Sequence, residues 1–217
     1  MNHANNVGKT AIFGAASVRL EILKLVIDAG ANVNHADNEG KTAIFDAAYW
    51  GCPESFKVLF DAGASVQHAD NEGYTALFEP AFYYEEHGDI YDDDIKTVKL
   101  FIAAGVDVNH VANDGSTALS RYTAELQTAT EEMQNFDEDE DEDDIEELEG
   151  NVARLTEIVA LINERIAQLA ELAKQAAAEA AVVAVTSDES ESASTGKGKG
   201  KGKGKGKSGV ESGKRKR

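Results

Sequence analysis

The chain has 217 residues, 21 Lys and Arg against 40 Asp and Glu, a formal charge of -19, one Cys and 42% hydrophobic residues. A lone cysteine excludes a disulfide framework and suits a reducing compartment. The opening MNHANNVGKT lacks the apolar stretch of a signal peptide, and the Ala/Val-rich run near residue 180 is broken by Lys174 and Glu179, so an intracellular protein with no membrane span is expected.

The charge is unevenly distributed. Residues 1–136 hold 8 basic and 21 acidic groups, 137–149 hold 11 acids, 150–196 hold 3 bases and 7 acids, and 197–217 hold 10 bases and 1 acid. This layout predicts one modest domain followed by elongated and low-complexity segments.

In chain order, the first element is a repeat. The strings GKTAIFGAA, GKTAIFDAA, GYTALFEPA and GSTALSRYT begin at Gly8, Gly40, Gly73 and Gly115, which are 32, 33 and 42 residues apart. Each places a threonine (Thr10, Thr42, Thr75, Thr117) where its side-chain oxygen is expected to cap a helix, with small alanines behind it for close packing. A second apolar segment follows, such as Leu20 to Ile27, and ends at Gly30, Gly63 or Gly105, glycines suited to positive φ at a helix C-terminus. The predicted unit is helix, turn, helix and finger-like loop, with a period near 33 and an insertion over 84–93.

This unit resembles the ankyrin repeat, whose pattern is a G-x-T-P-L-H-x-A-A helix start, a second helix ending in G-A and a V-N finger. The resemblance spans about residues 2–123. It departs from the pattern at the proline, replaced by Ala11, Ala43, Ala76 and Ala118, and at the histidine, replaced by Phe13, Phe45, Phe78 and Ser120. Tyr122 and Thr123 replace the last alanine pair, as at a cap. The resemblance implies an all-α, helix-turn-helix solenoid of three to four repeats that binds a protein partner along its finger tips and first helices. Carried over residue by residue, that surface is Asn38, Glu39, Lys41, Tyr49 and Trp50 in the second unit. In the third unit it is Asn71, Glu72, Tyr74, Phe82 and Tyr83, and in the fourth Asn113, Asp114 and Ser116. Its aromatic side chains have the composition of a binding hot spot.

Other chemistry is not supported by spacing. His3, His35, His68 and His110 occupy one finger position in successive repeats, roughly 10 Å apart as for packed layers, too far to share a metal. The G-K-[ST] triplets at Gly8, Gly40 and Gly206 lack the earlier glycine of a phosphate loop. The run Asp137 to Asp144 lacks the central glycine and terminal glutamate of a calcium loop. Cys52 has no identifiable base. The expectation is a non-catalytic protein without cofactor or metal.

Beyond the repeats, a short helix is expected over 124–136, an acidic linker over 137–144 and a long helix over 145–185. Leu148, Val152, Leu155, Val159, Ile162, Ile166 and Leu169 follow an a/d spacing from Ile145 onward, the seam of a self-associating coiled coil and a homodimer. Ile158, Ala170 and Leu172 widen the apolar face, which leaves a trimer or docking of the helix on the repeats as alternatives, and the pattern Leu119, Tyr122, Leu126, Ala129, Met133 and Phe136 offers an intramolecular hairpin as another. Residues 186–217, with six Gly-Lys pairs, are expected to be a disordered tail. Its charges from Lys197 to Arg217 offer weak, sequence-independent nucleic-acid contact as the alternative function.

Overall fold

In a computed structural model, residues 2–81, 91–135 and 142–194 are described. Among them are seven α-helices: α1 Ala11–Val18, α2 Leu20–Asp28, α3 Ala43–Tyr49, α4 Pro53–Asp61, α5 Tyr91–Ala103, α6 Ala118–Gln134 and α7 Glu142–Ser194. A 3-10 helix, Ala76–Ala81, stands where the third repeat's first helix is expected. The chain divides into two units, Met1–Ala170 and Glu171–Arg217.

In the first unit, α1, α3, the 3-10 helix and α6 neighbour one another in one row, and α2, α4 and α5 stack in a second row behind them. The row of first helices carries a paired apolar position that the sequence repeats: Ile12 and Phe13, Ile44 and Phe45, Leu77 and Phe78, all essentially inaccessible. Leu23, Phe56, Leu59, Val98 and Phe101 meet them from the second row. Each such side chain contributes roughly 1.5–3 kcal/mol by leaving water. Ala15, Ala16, Ala47 and Ala48 are buried with them, and their small size lets the helix rows approach.

The second helices end as their glycines require. Gly30, Gly63 and Gly105 have φ of 82°, 92° and 79°, and the next residue's amide reaches back across the last turn, as from Ala31 to Val26 O at 3.1 Å and Val106 to Phe101 O at 3.1 Å. These are Schellman closures, which satisfy carbonyls that the helix leaves free. The helix starts differ from expectation. Only Thr117 caps with its hydroxyl, accepting from Ser120 N at 3.1 Å. At Thr10 and Thr42 the side chain makes no cap bond. There the backbone carbonyl closes the first turn instead, accepting from Phe13 N at 3.2 Å and Phe45 N at 2.9 Å.

The fourth repeat is built from long helices. The boundary expected between 123 and 124 falls inside α6, because the capped helix at Thr117 meets no breaker before Gln134. Tyr122, in place of the small alanine, is fully buried and donates its hydroxyl hydrogen to Leu77 O at 2.9 Å. Within the first unit, α7 meets α5 through side chains. Arg154, 2% exposed, pairs with Asp94 of α5 at 2.9 Å, and Glu157 pairs with Lys99 at 2.8 Å. Leu155, Ile158 and Ile162 join the same hydrophobic core.

The part of α7 in the second unit is helical through Ser194, past the expected end at 185, since no Gly or Pro interrupts the chain between Gly150 and Gly196. Residues 171–180 are exposed. The remainder of the tail, from 195 onward, lies outside the described residues, as do 82–90 of the insertion region and 136–141 of the acidic linker region.

The Arg154–Asp94 pair is the test of how α7 is held. Replacing Asp94→Ala leaves the guanidinium buried without that carboxylate and is expected to cost about 3 kcal/mol in urea unfolding at pH 7. A loss below about 0.5 kcal/mol, the range of ordinary surface substitutions, would mean that the pair does not hold the helix.

Candidate functional site

The fingers are organised by one carboxylate or amide per loop. Asp37 Oδ1 accepts from Glu39 N at 3.0 Å and Lys41 N at 2.9 Å. Asp70 does the same for Glu72 N and Tyr74 N, at 3.0 and 2.9 Å. Neighbouring fingers are then joined backbone to backbone, with Asn71 N donating to Glu39 O at 2.9 Å and Asn113 N to Glu72 O at 3.0 Å. Side-chain amides repeat the link: Asn38 to Asn6 O, Asn71 to Asn38 O and Asn113 to Asn71 O, at 3.0, 3.0 and 3.1 Å.

The finger histidines have a role of the same kind. His35, His68 and His110 place Nε2 at 2.9, 2.7 and 2.8 Å from the carbonyls of Gly8, Gly40 and Gly73. A carbonyl only accepts, so in each case Nε2 carries the hydrogen. The rings of His35 and His68 also meet Phe13 and Phe45 edge-on.

Between the fingers and the first helices lie two adjoining concavities. The larger, about 570 Å³, is lined by Asn38, Asn71, Glu72, Tyr74 and Arg121, and the smaller, about 240 Å³, by Lys9, Phe45, Asp46, Tyr49 and Trp50. Glu39, Lys41 and Glu79 line both. Tyr49 and Trp50 form an edge-on pair with centroids 5.4 Å apart, and Trp50 is 41% exposed.

Across the floor, each repeat reaches the next through equivalent positions. Lys9 meets Asp46 at 2.9 Å, Lys41 meets Glu79 at 3.0 Å, and in the third step Arg121 lies over the Tyr74 ring at 5.3 Å. Burial pushes the Glu79 and Asp46 carboxyls up, against the pull of their lysines. Burial draws Lys41 down, but Glu79 outweighs it through charge and hydrogen bond, and its net shift is upward. At the rim, Asp114 is held down to about 2 by hydrogen bonds from the Ser116 hydroxyl and backbone and from Tyr74, whose hydroxyl is 2.7 Å from Oδ2.

Of the residues assigned to partner binding, Asn38, Glu39, Lys41, Tyr49, Trp50, Asn71, Glu72 and Tyr74 therefore border one groove. Asn113, Asp114 and Ser116 continue the finger row without lining it. Phe82 and Tyr83 lie outside the described residues. Lys9, Asp46, Glu79 and Arg121 were not anticipated. Their signal is a comparison between repeats: the residue after each finger glycine and the residue six places after the next finger glycine are Lys with Asp, Lys with Glu and Tyr with Arg.

The positions assigned to self-association have a different environment. Leu155 and Ile162 are 1% and 0% exposed within the chain, while Leu148, Val152, Val159, Ile166 and Leu169 are half-buried. Ile158, beside the expected seam, is fully buried. Lys197 to Arg217 lie outside the described residues.

Residues 1–70 match the family model described as ankyrin repeats, three copies. The N-terminal segment is an ankyrin-repeat array, followed in the chain by the long helix. The finger bonding described above continues beyond the matched segment to Asn113. No curated protein matches the chain. Ankyrin repeats generally mediate protein–protein interaction. No helix among the described residues is long and apolar enough to cross a membrane.

The Lys41–Glu79 pair carries a pH prediction. Glu79 has a raised carboxyl pKa from burial, so its charged form costs the folded state stability above that pKa, and removing Lys41 raises the cost. Lys41→Met is expected to lose about 1–2 kcal/mol at pH 7, discounted for the lysine's partial exposure. The deficit should shrink as pH falls toward the ordinary carboxyl value of 4.5, because the raised carboxyl of Glu79 takes up its proton before an ordinary one does. Denaturant midpoints of both proteins across that range measure it, and a pH-independent deficit would exclude this account.

Proposed function

We propose that the chain is a non-catalytic interaction scaffold that binds a protein segment in the groove between its fingers and first helices. The observation that carries this reading is the pair of adjoining concavities sharing Glu39, Lys41 and Glu79, with the exposed Trp50 at one side and Tyr74 at the other. Aromatic side chains beside a desolvated polar floor are the usual anchors of an interface. The single cysteine, Cys52, agrees with an intracellular setting.

A photo-crosslinking residue introduced at position 50 is expected to capture a discrete partner, whereas one at the exposed Lys57 on α4 is not. Trp50→Ala with Tyr74→Ala should lower affinity for that partner by at least about 2 kcal/mol. Equal capture from both rows would remove the groove from the function.

Self-association through α7 must compete with packing already made inside the chain by Leu155 and Ile162. That burial favours a monomer, so light scattering is expected to return a mass near 23.2 kDa. A dimer mass that falls to monomer on Val152→Lys would return the helix to a self-associating role.

A further inference from the structure

We propose that the smaller concavity is a subsite for a quaternary ammonium group, the side-chain head of a trimethylated lysine in the partner's segment. This rests on the protein-binding reading above and adds the chemistry that is recognised.

The concavity, about 240 Å³, has an aromatic corner. Helix α3 ends at Tyr49 and Trp50 is its C-cap, so two adjacent backbone positions set the rings. Their centroids are 5.4 Å apart and their planes cross at 84°. Trp50 is 41% exposed and Tyr49 is half-buried, whereas Phe45, which lines the same concavity, is almost wholly buried. A cation seated in the angle between perpendicular rings meets both within the ~6 Å over which an aromatic ring attracts positive charge, and the attraction is strongest where water is displaced.

Charge favours a cation, and hydrogen bonding selects which one. Three carboxylates, of Glu39, Asp46 and Glu79, and two amines, of Lys9 and Lys41, line the concavity, so acids exceed bases by one. The buried acceptors are engaged. Lys9 donates to both Asp46 oxygens, at 2.9 and 3.1 Å, and Lys41 lies 3.0 Å from Glu79 Oε1. Lys9 also sits over the Phe13 ring, 5.4 Å from its centroid. An unmodified lysine brings three N–H donors and an arginine five, and donors taken out of water need acceptors. A trimethylammonium group has no N–H to satisfy, keeps its charge and presents methyl groups to the rings. Glu39, with its side chain 76% exposed and 4.0 Å from Lys41, supplies the carboxylate on the water side.

The test uses the full chain, whose single tryptophan is Trp50, so its emission reads the subsite directly. The probes are ten-residue Gly-Ser peptides that differ at one central residue: trimethyllysine, lysine, or the neutral isostere with carbon in place of the charged nitrogen. The trimethyllysine peptide should quench Trp50 emission saturably, and the other two should bind about fivefold more weakly, the worth of one cation–aromatic contact. Tyr49→Ala should weaken the trimethyllysine peptide by a similar factor, and Tyr49→Phe, which keeps the ring, should retain it. Choline carries the same group on a small molecule and should bind more weakly than the peptide; equal binding would assign the subsite to a free quaternary amine and overturn the assignment to a partner's lysine. No response to trimethyllysine, equal affinity for lysine, or equal affinity for the neutral isostere would overturn the inference as well; the peptide comparison is made in the unsubstituted chain and holds whether or not the variants fold. A partner crosslinked at position 50 through a segment without methylated lysine would overturn it while leaving the protein-binding reading intact. Absence of any crosslink would count against that reading itself.

Discussion

Everything in the repeat half depends on how the fingers satisfy their backbone. These loops have little regular structure of their own; the described bridges at Ala69–Thr75 and Val111–Thr117 are isolated. Their polar groups must therefore find partners in the neighbouring repeat. That demand imposes identity on each unit. The approach between fingers is close enough that a Cβ on Gly40, already at φ +83°, would stand 2.6 Å from Asn71 Oδ1 and 2.8 Å from its amide nitrogen. Glycine is needed there for both conformation and space. An asparagine must face it to supply an amide, and a histidine to reach its carbonyl. A repeat that lost one of these would weaken its neighbour as well as itself, which is the energetic meaning of a stacked array.

The last repeat meets the opposite problem, because no further unit is available to cover its second-row face. Lengthening both helices addresses it. Tyr122 is fully buried and passes its hydroxyl hydrogen to Leu77 O. Alongside, α7 places Leu155, Ile158 and Ile162 into the core. Apolar packing alone would allow the helix to slide or rotate. Arg154 is also bonded to Asn151 Oδ1 of its own helix at 3.2 Å, and its pairing with Asp94 ties α7 to α5 at a defined point.

How much of this was legible follows from which interactions recur. The glycines, the Ala pairs and the finger histidines repeat in sequence because they repeat in bonding, so the helical array could be read directly. Pairings seen once or twice were harder: Lys9 and Asp46 are 37 residues apart, and only alignment of the repeats against one another exposes them. The threonine positions were recognisable as helix starts, but the hydroxyl's bonding was not, since the carbonyl of the same residue can close the turn. For α7 the a/d pattern located the helix and its apolar stripe, on which Leu155 and Ile162 are buried and Leu148, Val152, Val159, Ile166 and Leu169 are packed against the core. A stripe widened by Ile158 permits a rotation that buries Ile158 and Arg154 and leaves Val152 and Val159 half-covered. Periodicity reports that a face is apolar, and it does not report what that face meets.

The same ladder that stabilises the array determines what its surface can read. Because each finger is bonded to the next through the carbonyl of Glu39 or Glu72 itself, the backbone that carries these side chains recurs once per repeat. The floor beneath them has matched charges, so its cations are held in place rather than offered to a ligand. Different parts of the same few residues are used for different contacts: backbone and amide groups hold the stack, while the Glu39 and Glu72 side chains are exposed. Substitution at the outward positions changes the chemistry of the groove without touching the bonds that form it, and substitution at Gly40 or Asn71 changes both.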